Sequence, residues 1–233
     1  TVAGANITNV SINCGVDAIG YYTGSVISDS GTFDVQVLIN GTRLMVMSDP
    51  EVVLYDGDMV VTGTDFTATL TVYKNGQKTG TTIATGGTIV KGSHITTTTL
   101  TGSGYGTLVA TYHPTYNDEP ASLGIIGSTT WQTALNEDPF DYFFDVNSEG
   151  SLIHSTNATG SLFEQCKMNG TILPIGTSHL YEVNVTLSDC FNTDVNGAFT
   201  GLAATKQSGI PDDRLVFTIS DGMYSTGDDF NRQ

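Results

Sequence analysis

The chain reads as all-β, built from antiparallel β-barrel or sandwich halves in tandem with little or no helix. Three observations carry this reading. Short apolar–polar alternations run from about Gly20 to the C-terminus, and alternation of period two is the mark of a half-buried strand. Clusters of Gly, Asn, Asp and Thr separate these stretches, as turns separate strands. No window carries the 3.6-residue periodicity of a long amphipathic helix.

Taken in order, the elements are as follows. Residues 1–14 form an extended leader. Its stretch Ala5-Asn-Ile-Thr-Asn-Val-Ser-Ile12 alternates, and suits either a local strand or one donated to a neighbouring subunit. Strands are expected at Tyr21–Ser28, Phe33–Ile39 and Arg43–Ser48. Asn40-Gly41 should turn the second into the third, because both residue types accept positive φ. Pro50 interrupts, and Val52–Val61 follows. Phe66–Tyr73 alternates cleanly, with Phe66, Ala68, Leu70 and Val72 on one face and Thr67, Thr69, Thr71 and Tyr73 on the other. Asn75-Gly76 is a second hairpin signal. Further strands are expected near 79–91, 93–101 and 105–113.

Two prolines and an acidic cluster make residues 114–127 a connection between the halves, with one helical turn near Ala121–Ile126. This divides the chain into an N-terminal β-rich half, 15–113, and a C-terminal β-rich half, 128–233. Strand texture resumes at Thr129–Leu135, Tyr142–Val146, Ser151–His154, Ser161–Cys166, Thr171–Leu173, Leu180–Leu187, Ala198–Ala204 and Leu215–Ser220. So many short strands make either two barrels or sandwiches or one larger barrel. The 233 residues suffice for a real core without metal or disulfide staples.

Charge narrows the partners. With 24 acidic and 8 basic residues the formal net charge is −16. Such a field repels phosphate backbones, so no nucleic-acid partner is expected. No apolar stretch is long enough to span a membrane as a helix. A removed signal peptide would account for a start at Thr1, and so would trimming.

Three cysteines are present. Cys166 and Cys190 sit at strand ends in one hairpin-rich stretch, where a disulfide would clip neighbouring strands and add about 2–4 kcal/mol. It would also imply an oxidising compartment: secreted, periplasmic or outer cell surface. The alternative is a pair of buried thiols. Cys14 is left over, either free or bonded to another chain.

The stretch from Ala110-Thr-Tyr112 through Tyr116 and Pro120-Ala-Ser-Leu123 to Trp131 carries a resemblance. So do Gly150-Ser-Leu152, Cys166-Lys-Met-Asn-Gly170, Tyr181-Glu-Val-Asn-Val-Thr-Leu187, Cys190 and Phe199-Thr-Gly201-Leu-Ala203. Together they resemble uncharacterised exported proteins and lipoprotein-like proteins of Gram-negative bacteria, over about residues 105–205. In that group a Tyr- and Pro-containing linker joins two β-rich halves, and a Gly-Cys pairs with a later Cys. Here Phe-Glu-Gln precedes Cys166 in place of Gly, and the linker carries one extra residue. The resemblance implies a bacterial cell-envelope location and barrel halves. It implies no activity.

Chemistry-bearing patterns are few. There is no Gly-x-Ser-x-Gly elbow, and His94, His113, His154 and His179 are isolated in sequence. Acids Glu137, Asp138, Asp141 and Asp145 lie near Trp131, Phe140, Tyr142 and Phe143, a mixture that suits sugar chemistry but equally suits a solvated loop entering a strand. Asp145, Asn147 and Glu149 space oxygens at i, i+2 and i+4 before Gly150, as in a calcium loop. They also fit a plain hairpin turn, the preferred reading. Calcium is the one cofactor this pattern admits. Asp212-Asp213 and Asp228-Asp229 are weaker cation candidates. Six Asn-x-Ser/Thr sequons occur, at Asn6, Asn9, Asn40, Asn157, Asn169 and Asn184; in a eukaryotic secretory protein they would suggest glycosylation on exposed loops, while an Asn- and Thr-rich chain produces several by chance.

The functional expectation is a non-enzymatic exported module that binds a small molecule or glycan. Trp131, Tyr112, Tyr116, Phe140 and Tyr142 are its candidate ligand-binding residues. The alternative is a subunit of a surface fibre or adhesin that self-associates through the leader. A carbohydrate-active hydrolase ranks third.

Overall fold

The computed structural model describes residues 19–28, 31–48, 53–90, 92–97, 106–114, 117, 119–133, 143–155, 162–206 and 212–233. Two closed eight-stranded antiparallel barrels follow each other along the chain. The first comprises β1 (Ile19–Ser28), β2 (Gly31–Asn40), β3 (Arg43–Ser48), β4 (Val53–Thr62), β5 (Asp65–Lys74), β6 (Gln77–Val90), β7 (His94–Thr97) and β8 (Thr107–Tyr112). Each strand pairs with its sequence neighbour. Closure comes from β8 on β1, with Tyr22 opposite Tyr112 and Ile27 opposite Thr107. A helical turn, α1 (Leu123–Ile126), stands between the barrels.

The second barrel comprises β9 (Thr129–Thr133), β10 (Phe143–Val146), β11 (Ser151–Ser155), β12 (Lys167–Pro174), β13 (Leu180–Ser188), β14 (Gly197–Lys206), β15 (Arg214–Ser220) and β16 (Ser225–Arg232). It closes through β16 on β9, with Phe230 opposite Thr133. The expected tandem of all-β halves is thus a tandem of barrels, and the single larger barrel is ruled out.

Alternation explains each barrel. Phe66, Ala68, Leu70 and Val72 of β5 point into the first core, while Thr67 and Thr69 face out and are exposed. On β13, Val183, Val185 and Leu187 point into the second core, while Glu182, Asn184 and Thr186 are exposed. Both interiors are filled by side chains. Apolar side chains inside and polar ones outside is the reverse of what a lipid-facing barrel presents. No helix is long and apolar enough to cross a membrane among the described residues.

Some strands break the alternation for a different reason. Leu44–Ser48 of β3, Leu202–Thr205 of β14 and Leu215–Ser220 of β15 are buried at every position. A strand buried on both faces reads as a continuous apolar run. The second face here is the contact between barrels. Tyr21, Leu38, Met45, Met47, Leu54 and Tyr73 from the first barrel pack against Leu180, Leu202, Ala204 and Val216 from the second. The described residues therefore form three cores, one of them shared.

The connection is tied down at both ends. Asn117 Oδ1 accepts from the Tyr21 backbone N–H at 2.9 Å, and its Nδ2 donates to the carbonyls of Tyr21 at 2.9 Å and His113 at 2.7 Å. The Tyr181 hydroxyl, on the second barrel, exchanges hydrogen bonds with the backbone of Ser122 at 3.1 Å. Burial holds that hydroxyl's pKa above the ordinary tyrosine value, outweighing the opposing hydrogen bond to Ser122.

Several local expectations need correction. Asn75-Gly76 has both residues at positive φ, 49° and 81°, as a two-residue type I′ turn requires. At Asn40-Gly41 only Gly41 does, at 93°. Asn40 instead acts through its side chain, whose Oδ1 accepts from the backbone N–H groups of Thr42 at 3.3 Å and Arg43 at 2.9 Å. Leu162–Gln165 is a turn and not part of a strand, with Gln165 at φ 60°. The closing strand β16 has no counterpart in the expected set, because Ser-Thr-Gly-Asp-Asp-Phe-Asn-Arg offers a single large apolar residue. The leader, Cys14 and the acids Glu137, Asp138 and Asp141 lie outside the described residues.

Tyr22 is an outlier within the first core. Its ring meets Tyr112 edge-on at 5.4 Å, and its buried hydroxyl has no hydrogen-bond partner. Burial, with Tyr112 adding to it, pushes that hydroxyl's pKa up to about 12. A pKa raised by folding gives stability that is complete below the unfolded value of about 10 and lost as pH rises through the folded value. Tyr22→Phe is therefore expected to be neutral or stabilising by about 1 kcal/mol at pH 7, since an orphaned buried hydroxyl is removed. It should also flatten the loss of stability between pH 10 and 12. Urea melts across that range check both points, and a loss of stability at pH 7 refutes the first.

Candidate functional site

The barrel–barrel contact opens at one end into a cleft of about 610 Å³, lined by β1, β2 and β3 of the first barrel and by Lys206 and Asp229 of the second. That volume is in the range of small-molecule sites, roughly 300–1,000 Å³. Strand register builds the first wall. Thr23 lies opposite Gln36 and Ser25 opposite Asp34, so the period-two pleat turns all four outward together. The intervening Tyr22, Val26, Val35 and Val37 point into the barrel core. Lys206 ends β14, and Asp229 lies on β16 one residue before the core residue Phe230.

The groups are held in a fixed arrangement. The Tyr21 hydroxyl donates to Gln36 Oε1 at 2.7 Å, and Lys206 Nζ donates to the same oxygen at 3.2 Å. Lys206 also forms an ion pair with Asp229 across the floor of the cleft. Arg214 Nη1 reaches Asp229 Oδ2 at 3.2 Å, and its Nε donates to Asn231 Oδ1 at 3.0 Å. Both cations meet one carboxylate oxygen. The other, Asp229 Oδ1, is buried and has no hydrogen-bond partner among the described residues. An unsatisfied buried acceptor costs about 1–3 kcal/mol, more when charged. On the first wall, Thr23, Ser25 and Asp34 have no side-chain partner among the described residues. The lining contains no histidine or cysteine. Hydroxyl and ammonium donors thus converge with carboxylate acceptors in one concave place.

A second cavity lies in the second barrel, bounded by Phe144, Phe163, Met168, Phe217 and Phe230 with Cys166 at its edge. At about 40 Å³ it is a packing void beside the inter-barrel cleft.

The residues singled out from sequence fall elsewhere. Trp131 is fully buried in the second core, and its indole N–H donates to the Ile126 carbonyl at 3.1 Å, fastening α1 to β9. Tyr112 is half-buried against Tyr22 at the end of β8. The structure does not bring Trp131 and Tyr112 together, since they serve different barrels. Tyr116, Phe140 and Tyr142 lie outside the described residues.

In the calcium-like segment, Asn147 Oδ1 accepts from the backbone N–H groups of Glu149 at 2.9 Å and Ser151 at 2.8 Å. Asp145 Oδ1 accepts from the Thr130 hydroxyl at 2.6 Å, and Glu149 is exposed at the turn. These oxygens build the β10–β11 hairpin. No group of three or more His, Cys, Asp or Glu is placed to hold a metal among the described residues. Asp228 and Asp229 do not form a joint cation site, because strand alternation sends Asp228 toward the second barrel's cavity and Asp229 into the cleft.

Cys166 and Cys190 are disulfide-bonded. The bond ties the turn before β12 to the loop after β13, and Phe191 N–H donates to the Glu164 carbonyl beside it at 2.9 Å. Its presence is consistent with an extracytoplasmic protein.

Sequence reading passed over Tyr21, Gln36 and Lys206, and singled out Asp229 only as a weak cation candidate beside Asp228. One signal bore on them. The apolar runs leading to Lys206 and preceding β16 lack the alternation of a strand with a solvated face, which marks a second buried surface and hence a junction. Compared with known proteins, the chain matches no family model, and no curated protein or solved structure is significantly similar to it.

Proposed function

We propose that this protein is a non-enzymatic, exported binding module of the bacterial cell envelope, and that its ligand is a small polar molecule held in the cleft between the barrels. The observation that carries the reading is the cleft itself. It is ligand-sized and formed by both barrels, and its lining gathers hydroxyl, amide, ammonium and carboxylate side chains. The filled barrel interiors direct binding to the junction and away from the barrel mouths. The disulfide and the resemblance to exported envelope proteins support the location.

Closure weighs against the fibre reading. Every described strand already has hydrogen-bonded neighbours on both sides, and a donated strand needs an open sheet edge to receive it.

The test is an NMR titration with a panel of neutral and charged monosaccharides at about 10 mM, enough to saturate a site with a Kd near 1 mM. Backbone amides of Thr23, Ser25, Gln36, Lys206 and Asp229 should move together for at least one of them. Perturbation confined to other surfaces, or none for the whole panel, overturns the proposal.

A further inference from the structure

Resting on the cleft reading, we infer that the ligand carries a protonated amine, and that Asp34 is the group that selects it. Charge bookkeeping within the cleft points this way. Lys206 and Arg214 share the single Asp229 carboxylate, a trio with one net positive charge, and Lys206 also donates to Gln36, so no ammonium hydrogen-bonding group is left idle there. Asp34 remains. It is exposed on the first wall, and among the described residues neither an ion pair nor a hydrogen bond engages its carboxylate. Thr23 and Ser25 stand beside it with hydroxyls that no side-chain partner among the described residues occupies, and Ser25 is its direct cross-strand neighbour.

One free anion flanked by two free hydroxyls matches an ammonium group next to hydroxyl groups. A bound carboxylate or phosphate would meet the like charge of Asp34 on this wall. The rest of the molecule acts in the same direction. A net charge of −16 raises the local concentration of small cations and lowers that of anions near every concave surface. An amino sugar supplies the ammonium, the hydroxyls and the size.

Three probes share one ring and differ in charge: glucosamine at a pH where its amine is protonated, glucose, and glucuronate. Glucosamine should bind most tightly, with the amides of Ser25, Asp34 and Gln36 shifting furthest. Asp34→Asn should weaken glucosamine by roughly two- to fivefold, the worth of one exposed ion pair, and by clearly more than it weakens glucose. Raising ionic strength from about 0.01 to 0.15 M shortens the screening length from about 30 to 8 Å and should weaken glucosamine alone. If glucose binds as tightly as glucosamine, or glucuronate binds more tightly, the amine inference is wrong while the cleft reading stands. If no probe moves the cleft residues, both fall. Asp34 is exposed and outside the cores, so its variant keeps the fold and the comparison stays interpretable.

Discussion

Asp56→Ala is expected to destabilise the protein by about 3 kcal/mol, lowering the melting temperature by roughly 6–12 °C for a chain of this size. Asp56 sits at the barrel–barrel contact and accepts from Arg43 Nε at 2.7 Å, from Arg43 Nη2 at 2.8 Å and from the Ser220 hydroxyl at 2.6 Å. Arg43 in turn reaches the second barrel through Nη1 to the Thr200 hydroxyl at 3.0 Å and Nη2 to its carbonyl at 3.2 Å. Burial works against the Arg43 charge, but the hydrogen bond and the field of Asp56 outweigh it and hold the guanidinium above its ordinary pKa. Removing Asp56 leaves a mostly buried cation and a buried hydroxyl without their acceptor. The side chains keep 21% and 10% of their exposure, which places the loss at the low end for a broken buried pair. The double variant Arg43→Met/Asp56→Leu should recover most of it, because a buried ion pair is often replaceable by apolar side chains of similar volume. Urea unfolding of the single and double variants decides the matter. A single variant within about 0.5 kcal/mol of wild type would mean that the apolar cluster alone holds the barrels together.

Loss of the Cys166–Cys190 bond is expected to cost roughly 3.5 kcal/mol by loop-closure entropy, for a sequence separation of 24 residues. Cys166→Ala/Cys190→Ala, or a dithiol reductant, should lower the melting temperature by roughly 7–14 °C. The bond anchors the Leu162–Cys166 turn, which carries Phe163 into contact with Phe199 at 6.2 Å. Loosening should therefore show first in hydrogen exchange at 162–166 and 190–196 and not in the first barrel. Equal melting of the oxidised and doubly substituted proteins would show that the packing of Phe163 suffices without the covalent tie.

The two barrels were legible in the sequence to different depths. Phe66–Tyr73 and Leu180–Leu187 announce themselves because each strand has one wet face, and alternation records that directly. Asn75-Gly76 was legible because a type I′ turn demands positive φ at two adjacent residues. β16 was not, because its Asp228, Asp229 and Asn231 face a cavity, a cleft and Arg214, and these polar roles hide the strand pattern. Trp131 illustrates the opposite error. An aromatic near acids suggests a sugar platform, yet the indole N–H finds its partner in the Ile126 carbonyl and the ring fills the core.

By itself the sequence determined the all-β class and the tandem halves, and it pointed to the cysteine pair. These follow from local chemistry: period-two burial, turn residues with restricted φ, and cysteines placed at strand ends. Only the tertiary structure decided that the halves close into separate barrels, and that their outer faces dock through Met45, Tyr73, Leu202 and Val216. It alone located the cleft. Gln36 and Lys206 are 170 residues apart in the chain, and no local pattern encodes which outward faces meet. That choice is made by the apolar area the two barrels bury against each other, and by the Arg43–Asp56 pair that sets their alignment.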